Sequence, residues 1–295
     1  MKPLDIKGII PPMMTAFTKE GEIYEKGIRE IVDFIVPHVQ GLYPCGTYGS
    51  GPMMSPEERK KVAEIIIHQT KGRIPVIVHV GTADTKTTIE LARHAQEKGA
   101  AAVGAITPYY NSYNEEAIFT HFQQLIKSVK LPVFLYDNPK CSGNSITTNL
   151  LVRLAREGLA GIKDSTFDIV NHYHARIALK DFPDMNLIIG TEALLVAAFD
   201  AGATAAVCGL GNVYPDLLGR LYRSYLNGER EALIKTQEEV LVVRQVTKYG
   251  PTVPTCHAIL KMRGVDSGYP RLPFRPVSAE VEERVKEKLK SMGLL

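Results

Sequence analysis

Eight short apolar runs, the helical spacing of the segments between them, and the absence of any linker or low-complexity tract predict an α/β chain: a (β/α)8 TIM barrel with a C-terminal helical extension. The runs fall at 8–10, 41–43, 75–80, 101–106, 132–136, 159–162, 187–190 and 205–207. Between them, apolar residues return every three or four positions in 58–69, 87–98, 115–129 and 217–226, the period of a helix with one buried face. Helix starts carry capping chemistry. Ser55-Pro56-Glu57-Glu58 supplies a Ser cap, Pro at the first helical position and Glu at the capping-box position, and Asn114 precedes Glu115-Glu116. Strands apolar on both faces that alternate with amphipathic helices form a buried parallel sheet with right-handed crossovers, and eight such units close it. Further helices are expected at 229–248 and 278–292, separated by the Tyr249-Gly250-Pro251 and Gly268-Tyr269-Pro270-Arg271 breaks. The expected organisation is a barrel over 1–228 and a helical extension over 229–295 packed on it.

Composition narrows the function. The 295 residues are 45% hydrophobic and 23% charged, with 24 Gly and 18 Pro, which excludes disordered, collagen-like and coiled-coil chains. The 35 basic residues are scattered among 32 acidic ones, so no basic stripe is available to a nucleic acid, and a small-molecule partner is expected. Cys45, Cys141, Cys208 and Cys256 form no C-x-x-C pair and are too few for a disulfide scaffold, which fits a reducing cytoplasm. Asp5, Lys7 and the Pro11-Pro12 break leave no signal-peptide core, and no uncharged apolar run reaches the length of a membrane span, so no membrane association is expected.

In a barrel of this kind the chemistry sits where the strands end. The sixth run ends in Lys163. Burial at a barrel mouth disfavours its ammonium form and produces a nucleophilic amine suited to forming a Schiff base with a ketone; a salt bridge to Asp164 is the alternative reading. The fifth run ends in Tyr136, which either relays protons to that chemistry or is a core aromatic. Gly46-Thr47-Tyr48-Gly49-Ser50-Gly51 either presents backbone N–H groups to an anion or makes a tight turn. It lacks the Lys-Ser/Thr ending of a nucleotide loop, so a small carboxylate suits it better. His172-Tyr173-His174 falls in a helical stretch, where i and i+2 diverge, and no metal site is expected.

Five segments together, Gly46-Thr47-Tyr48-Gly49, Thr107-Pro108-Tyr109-Tyr110-Asn111, Tyr136-Asp137-Asn138-Pro139 with Gly143, Gly161-Ile162-Lys163-Asp164 and Gly268-Tyr269-Pro270-Arg271, resemble the pyruvate-dependent aldolase superfamily of dihydrodipicolinate synthase, N-acetylneuraminate lyase and 2-keto-3-deoxygluconate aldolase. The resemblance spans essentially the whole chain. It implies a homotetramer in which Lys163 forms the Schiff base with pyruvate or another 2-keto acid. Tyr136 shuttles protons, and Thr47 links Tyr136 to Tyr110, which reaches the site of the adjacent subunit. The backbone around Thr47 and Tyr48 holds the pyruvate carboxylate. It also implies no cofactor or metal, since the protonated imine is the electron sink.

Departures separate the members. Cys141 stands where dihydrodipicolinate synthases place an arginine, and a thiol offers a carboxylate no bidentate fork, although Lys140 supplies a nearby point charge. Tyr48 replaces the second hydroxyl of the family's Gly-Thr-Thr-Gly. The Gly49-Ser50-Gly51-Pro52 and Gly268-Tyr269-Pro270-Arg271 stretches are closer to the archaeal 2-keto-3-deoxygluconate aldolases. Glu192, after Gly190-Thr191, matches an acidic residue that grips sugar hydroxyls in neuraminate lyases, and Tyr48, Gly190, Cys141 and Val207, the last at the end of the eighth run, are expected with it among the substrate-binding residues. The expectation is an aldolase cleaving a 2-keto-3-deoxy sugar acid to pyruvate and an aldehyde. The alternatives are the 4-hydroxy-tetrahydrodipicolinate synthase reaction, neuraminate cleavage, a keto-deoxy acid dehydratase, or a catalytically silent pyruvate-binding barrel.

Overall fold

The structure, a computed structural model, describes residues 6–295; Asp5, named above, lies outside them. Seven parallel strands, β1 (Gly8–Ile10), β2 (Ile77–His79), β3 (Ala102–Ile106), β4 (Val133–Asp137), β5 (Gly161–Asp164), β6 (Asn186–Ile189) and β7 (Ala205–Val207), lie in the order β1-β7-β6-β5-β4-β3-β2. The run at 41–43 completes the ring without being a regular strand. It bonds to β1 through Gln40 N–H to Ile9 C=O (2.9 Å) and Tyr43 N–H to Pro11 C=O (2.9 Å). On its other side, Leu42 N–H donates to Pro75 C=O (3.0 Å) and Ile77 N–H to Leu42 C=O (2.8 Å). The fold is therefore the (β/α)8 barrel that the eight runs predict.

Strand alternation separates two cores. Ile10, Tyr43, Ile77, Phe134, Ile188 and Val207 fill the barrel interior, whereas Val133, Leu135, Ile162 and Ile189 face the surrounding helices. The predicted caps form. Ser55 Oγ accepts from Glu58 N–H at 3.2 Å while Glu58 accepts from Ser55 N–H at 2.8 Å, and Asn114 accepts from Ala117 N–H at 2.9 Å. At the C-terminal side the expected helices appear at Arg230–Val246 and Ala279–Ser291. Between them stands a third, Thr252–Met262, in the interval that the sequence reading left as a separator. Residues 253–260 are buried all round, so this helix has no polar face and shows no amphipathic period. The Gly268-Tyr269-Pro270-Arg271 segment ties this region back to the capped helix: Arg271 donates to Glu58 (2.8 Å), to Met53 C=O (3.1 Å) and to Gly21 C=O. No helix among the described residues is long and apolar enough to cross a membrane.

Candidate active site

Because side chains on a strand alternate, β4 turns Tyr136 into the barrel and Asp137 out, and β5 does the same with Lys163 and Asp164; the register pairs Tyr136 with Lys163 and Asp137 with Asp164. The Lys163–Asp164 salt bridge is thus ruled out. Asp164 Oδ1 accepts from Thr166 N–H (2.8 Å) and Oγ1 (2.7 Å), and its Oδ2 accepts from Asn171 (3.2 Å), all on the helix side. Lys163 is buried, with its amine 3.5 Å from the centroid of the Tyr136 ring and 4.6 Å from that of Tyr43. Burial lowers its pKa from the ordinary lysine value, with the neighbouring tyrosine opposing in part, so the nucleophilic amine form is more accessible than in an exposed lysine.

Tyr136 Oη lies 3.5 Å from Thr47 Oγ1 and accepts from Asn138 Nδ2 at 2.8 Å. Burial pushes the phenol up, but the Lys163 charge and the bonds with Thr47 and Asn138 outweigh it and hold Tyr136 below the usual tyrosine range. With both pKa values lowered on facing strands, a nucleophilic amine stands beside a phenol that can give up a proton and take it back. His79 packs its ring edge-on to Tyr136 (6.0 Å). It is held neutral by burial and by the charges of Arg59 and Lys163, accepts from Ile106 N–H at 3.2 Å and bonds Cys45 C=O at 3.2 Å.

The 45–51 segment is both of the things the sequence allowed. It is a tight turn, with Cys45 and Ser50 at φ of 61° and 55°, in which a Cβ on Gly51 would sit 1.8 Å from Cys45 O. It also turns Thr47 and Tyr48 toward Lys163, and their backbone N–H groups have no protein partner among the described residues. Thr47, Tyr48, Tyr136 and Lys163 line one cavity of about 120 Å³ together with Gly190, Glu192 and Val207. Seven of the nine residues singled out in the sequence therefore converge.

Two do not. Tyr110 follows β3 with φ of 82°, is 95% exposed and takes no part in lining the cavity of its own chain. Cys141 sits on the short helix Pro139–Ser142, exposed and outside the cavity wall; Asn138 Nδ2 lies 3.3 Å from its sulfur, and it is near enough to Tyr136 and Lys163 to influence both electrostatically. His172 is buried and His174 exposed, on different faces of the helix Ile169–Ala178.

The structure adds residues that the sequence reading missed. Asn138 and Ser165 enter from the strand ends, two positions after Tyr136 and Lys163, where alternation returns a side chain to the same face. Phe167, at φ of 65°, stands at the rim between Lys140 and Arg244, their charged groups 5.3 and 5.8 Å from its ring. Arg244 comes from the helix Arg230–Val246 and donates Nε–H to Glu192 Oε1 at 2.8 Å, a mostly buried ion pair in the cavity wall. No local pattern marks it in the sequence, because only the docking of that helix brings it to the barrel mouth.

Fold and site together define a carbon–carbon lyase built on a (β/α)8 barrel. The chain belongs to the dihydrodipicolinate synthetase family, whose model matches residues 5–292. It is 32% identical to an uncharacterised DapA-like lyase of Halobacterium salinarum (99% of this chain, 96% of the relative), and 29% identical to the 4-hydroxy-tetrahydrodipicolinate synthase of Methanopyrus kandleri (98% and 97%). Among solved structures it superposes with a TM-score of 0.94, at 27% identity over 98% of this chain and 99% of the other, on YagE of Escherichia coli K12. That is a prophage protein of the dihydrodipicolinic acid synthase family, solved in complex with pyruvate.

Proposed function

We propose that this chain is a Schiff-base aldolase that reversibly cleaves a 2-keto-3-deoxy sugar acid to pyruvate and an aldehyde. The observation that carries the reading is the buried Lys163 amine, without a carboxylate partner among the described residues, against a tyrosine hydrogen-bonded by Thr47 and Asn138. The Lys163 amine adds to the C2 carbonyl, and Tyr136 delivers a proton to the carbinolamine oxygen, which leaves as water to give the protonated imine. Tyr136, now the base, removes the C4 hydroxyl proton. The C3–C4 bond breaks, its electron pair moves into the imine as an enamine, and the aldehyde departs. Protonation at C3 and hydrolysis then return pyruvate and the free lysine. The pyruvate carboxylate lies against the Thr47 and Tyr48 N–H groups.

The Glu192–Arg244 pair supports the sugar acid. An internally compensated acid–base pair offers both an acceptor and donors to a chain of neutral hydroxyls without demanding a net charge. A second reading, the 4-hydroxy-tetrahydrodipicolinate synthase reaction, is favoured by one observation: the two terminal Arg244 nitrogens have no protein partner among the described residues, which gives a carboxylate the fork that Cys141 lacks. Turnover of pyruvate with glyceraldehyde, aspartate semialdehyde and N-acetylmannosamine decides between them. Glyceraldehyde is expected to give the highest kcat/KM. Preference for aspartate semialdehyde would establish the second reading and overturn the first.

A further inference from the structure

Asn138 occupies the N-cap of the short helix Pro139–Ser142, a position where an Asn side chain ordinarily accepts a hydrogen bond from the first turn. Here it caps nothing. The turn is closed instead by the Asn138 carbonyl, which accepts from Cys141 N–H (3.0 Å), Ser142 N–H (3.0 Å) and Ser142 Oγ (3.2 Å). Pro139 keeps the preceding backbone out of the helical region, with φ of −146° and ψ of 79°, and the Asn138 side chain turns inward beside Tyr136. There both amide hydrogens are committed, one to Tyr136 Oη at 2.8 Å and the other to Cys141 Sγ at 3.3 Å. The amide is thereby pinned, nearly fully buried, in the wall of the reaction cavity.

We propose that Asn138 is a positioning residue for Tyr136: its N–H fixes the phenol oxygen as an acceptor and so aims the Tyr136 proton at Thr47 and the bound keto acid. A phenol has a single hydrogen. With one lone pair taken by Asn138, that hydrogen is left to the other contacts of the oxygen, Thr47 Oγ1 at 3.5 Å and the Lys163 amine. When Tyr136 gives the proton up, the same N–H donates to the phenolate, a stronger bond than to the phenol, so Asn138 stabilises the basic form as well as orienting the acidic one. This rests on the reading of Tyr136 as the proton shuttle.

The titratable and charged groups that face Tyr136 are Lys163 from β5, His79 from β2, Tyr43 from the closing segment, Tyr48 from the 45–51 turn and Cys141 from the helix Pro139–Ser142. Substitution at Asn138 changes none of these residues, and besides the bond to Tyr136 it removes only the Nδ2 contact with Cys141 Sγ. Asn138→Asp and Asn138→Leu are close to Asn in size, and each removes the donor. Leu offers nothing, while the Asp carboxylate only accepts, so it draws the Tyr136 hydrogen onto itself and repels the phenolate.

The test is a tyrosinate ultraviolet titration of the full-length protein and of each variant, taken as the difference from its Tyr136→Phe counterpart. Folding is checked by circular dichroism, and borohydride trapping of pyruvate on Lys163 is run in parallel. Loss of a hydrogen bond to a charged oxygen raises the Tyr136 midpoint by about one pH unit in Asn138→Leu. In Asn138→Asp the rise is larger, and the alkaline limb of the kcat/KM profile follows the same order. An unchanged or lowered midpoint in either folded variant overturns the proposal. If one variant does not fold, the direction of shift in the other decides. The adduct keeps the two readings apart. A shifted midpoint without any adduct in the unaltered protein would overturn the aldolase reading and sustain the Asn138–Tyr136 coupling. An adduct with an unshifted midpoint would do the reverse.

Discussion

Asp137 carries the most quantitative prediction in the molecule. It ends β4 on the helix side, 3% exposed, directly across the register from Asp164, and its Oδ1 has no hydrogen-bond partner among the described residues. Burial, and then the Asp164 charge, push its pKa from 3.8 to about 7. The folded state therefore binds this proton more tightly than the unfolded chain does. The stability associated with it is fully present below pH 3.8 and is lost progressively as pH rises toward 7. At 1.4 kcal/mol per pKa unit, keeping this carboxyl buried costs about 1.5–2 kcal/mol at pH 5 and on the order of 4 kcal/mol at pH 8. Asp137→Asn keeps the shape and cannot ionise. Its stability relative to the unaltered protein, measured by urea unfolding at 25 °C, should therefore improve by about 2–3 kcal/mol between pH 5 and pH 8. A difference that is flat, or that shrinks as pH rises, would refute the reasoning.

The remaining predictions concern the cavity. Tyr136→Phe keeps the ring packing against Lys163 and His79 but removes the relay, so kcat should fall by about 10²–10⁴ with the circular dichroism spectrum unchanged; loss of fold instead would mark Tyr136 as a core aromatic. Arg244→Leu strands the Glu192 carboxylate in a nearly closed site and should cost about 3–5 kcal/mol by denaturant unfolding, most of it recovered in the Arg244→Leu/Glu192→Leu double variant; additive losses would mean that the two do not act as a pair. Tyr110, fully presented to solvent by its own chain, is proposed to complete the site of a neighbouring subunit. Mixed oligomers of Tyr110→Phe and Lys163→Ala should then regain turnover that neither variant has, and no recovery despite subunit exchange verified by native mass spectrometry would confine Tyr110 to its own chain.

What the sequence made legible follows from how locally each feature is encoded. Strands buried on both faces show as apolar runs, and β7 at Ala205–Val207 coincides with its run residue for residue. The run at 41–43 was equally visible, although it bonds to its neighbours without regular strand geometry. Lys163, Tyr136 and Thr47 were recoverable because each ends or follows such a run. The helix Thr252–Met262 was not, since burial on every side erases the polar face that periodicity detects. Asn138 was within reach of strand alternation, but an Asn before Pro reads first as a cap, and only its coordinates show the side chain turned to Tyr136. Arg244 lies 52 positions from Glu192, and no spacing rule connects residues whose meeting depends on how the helix Arg230–Val246 docks. Cys141 illustrates the converse: its place in the motif is right, yet the turn after Pro139 leaves the thiol outside the cavity wall.

The central claim is that the Lys163 amine is the nucleophile, and borohydride reduction in the presence of pyruvate tests it most directly. Peptide mass spectrometry should find a 1-carboxyethyl group on Lys163, formed by reduction of the imine, with no adduct in Lys163→Ala. A protein left unmodified at Lys163, or modified equally at other lysines, would contradict the account.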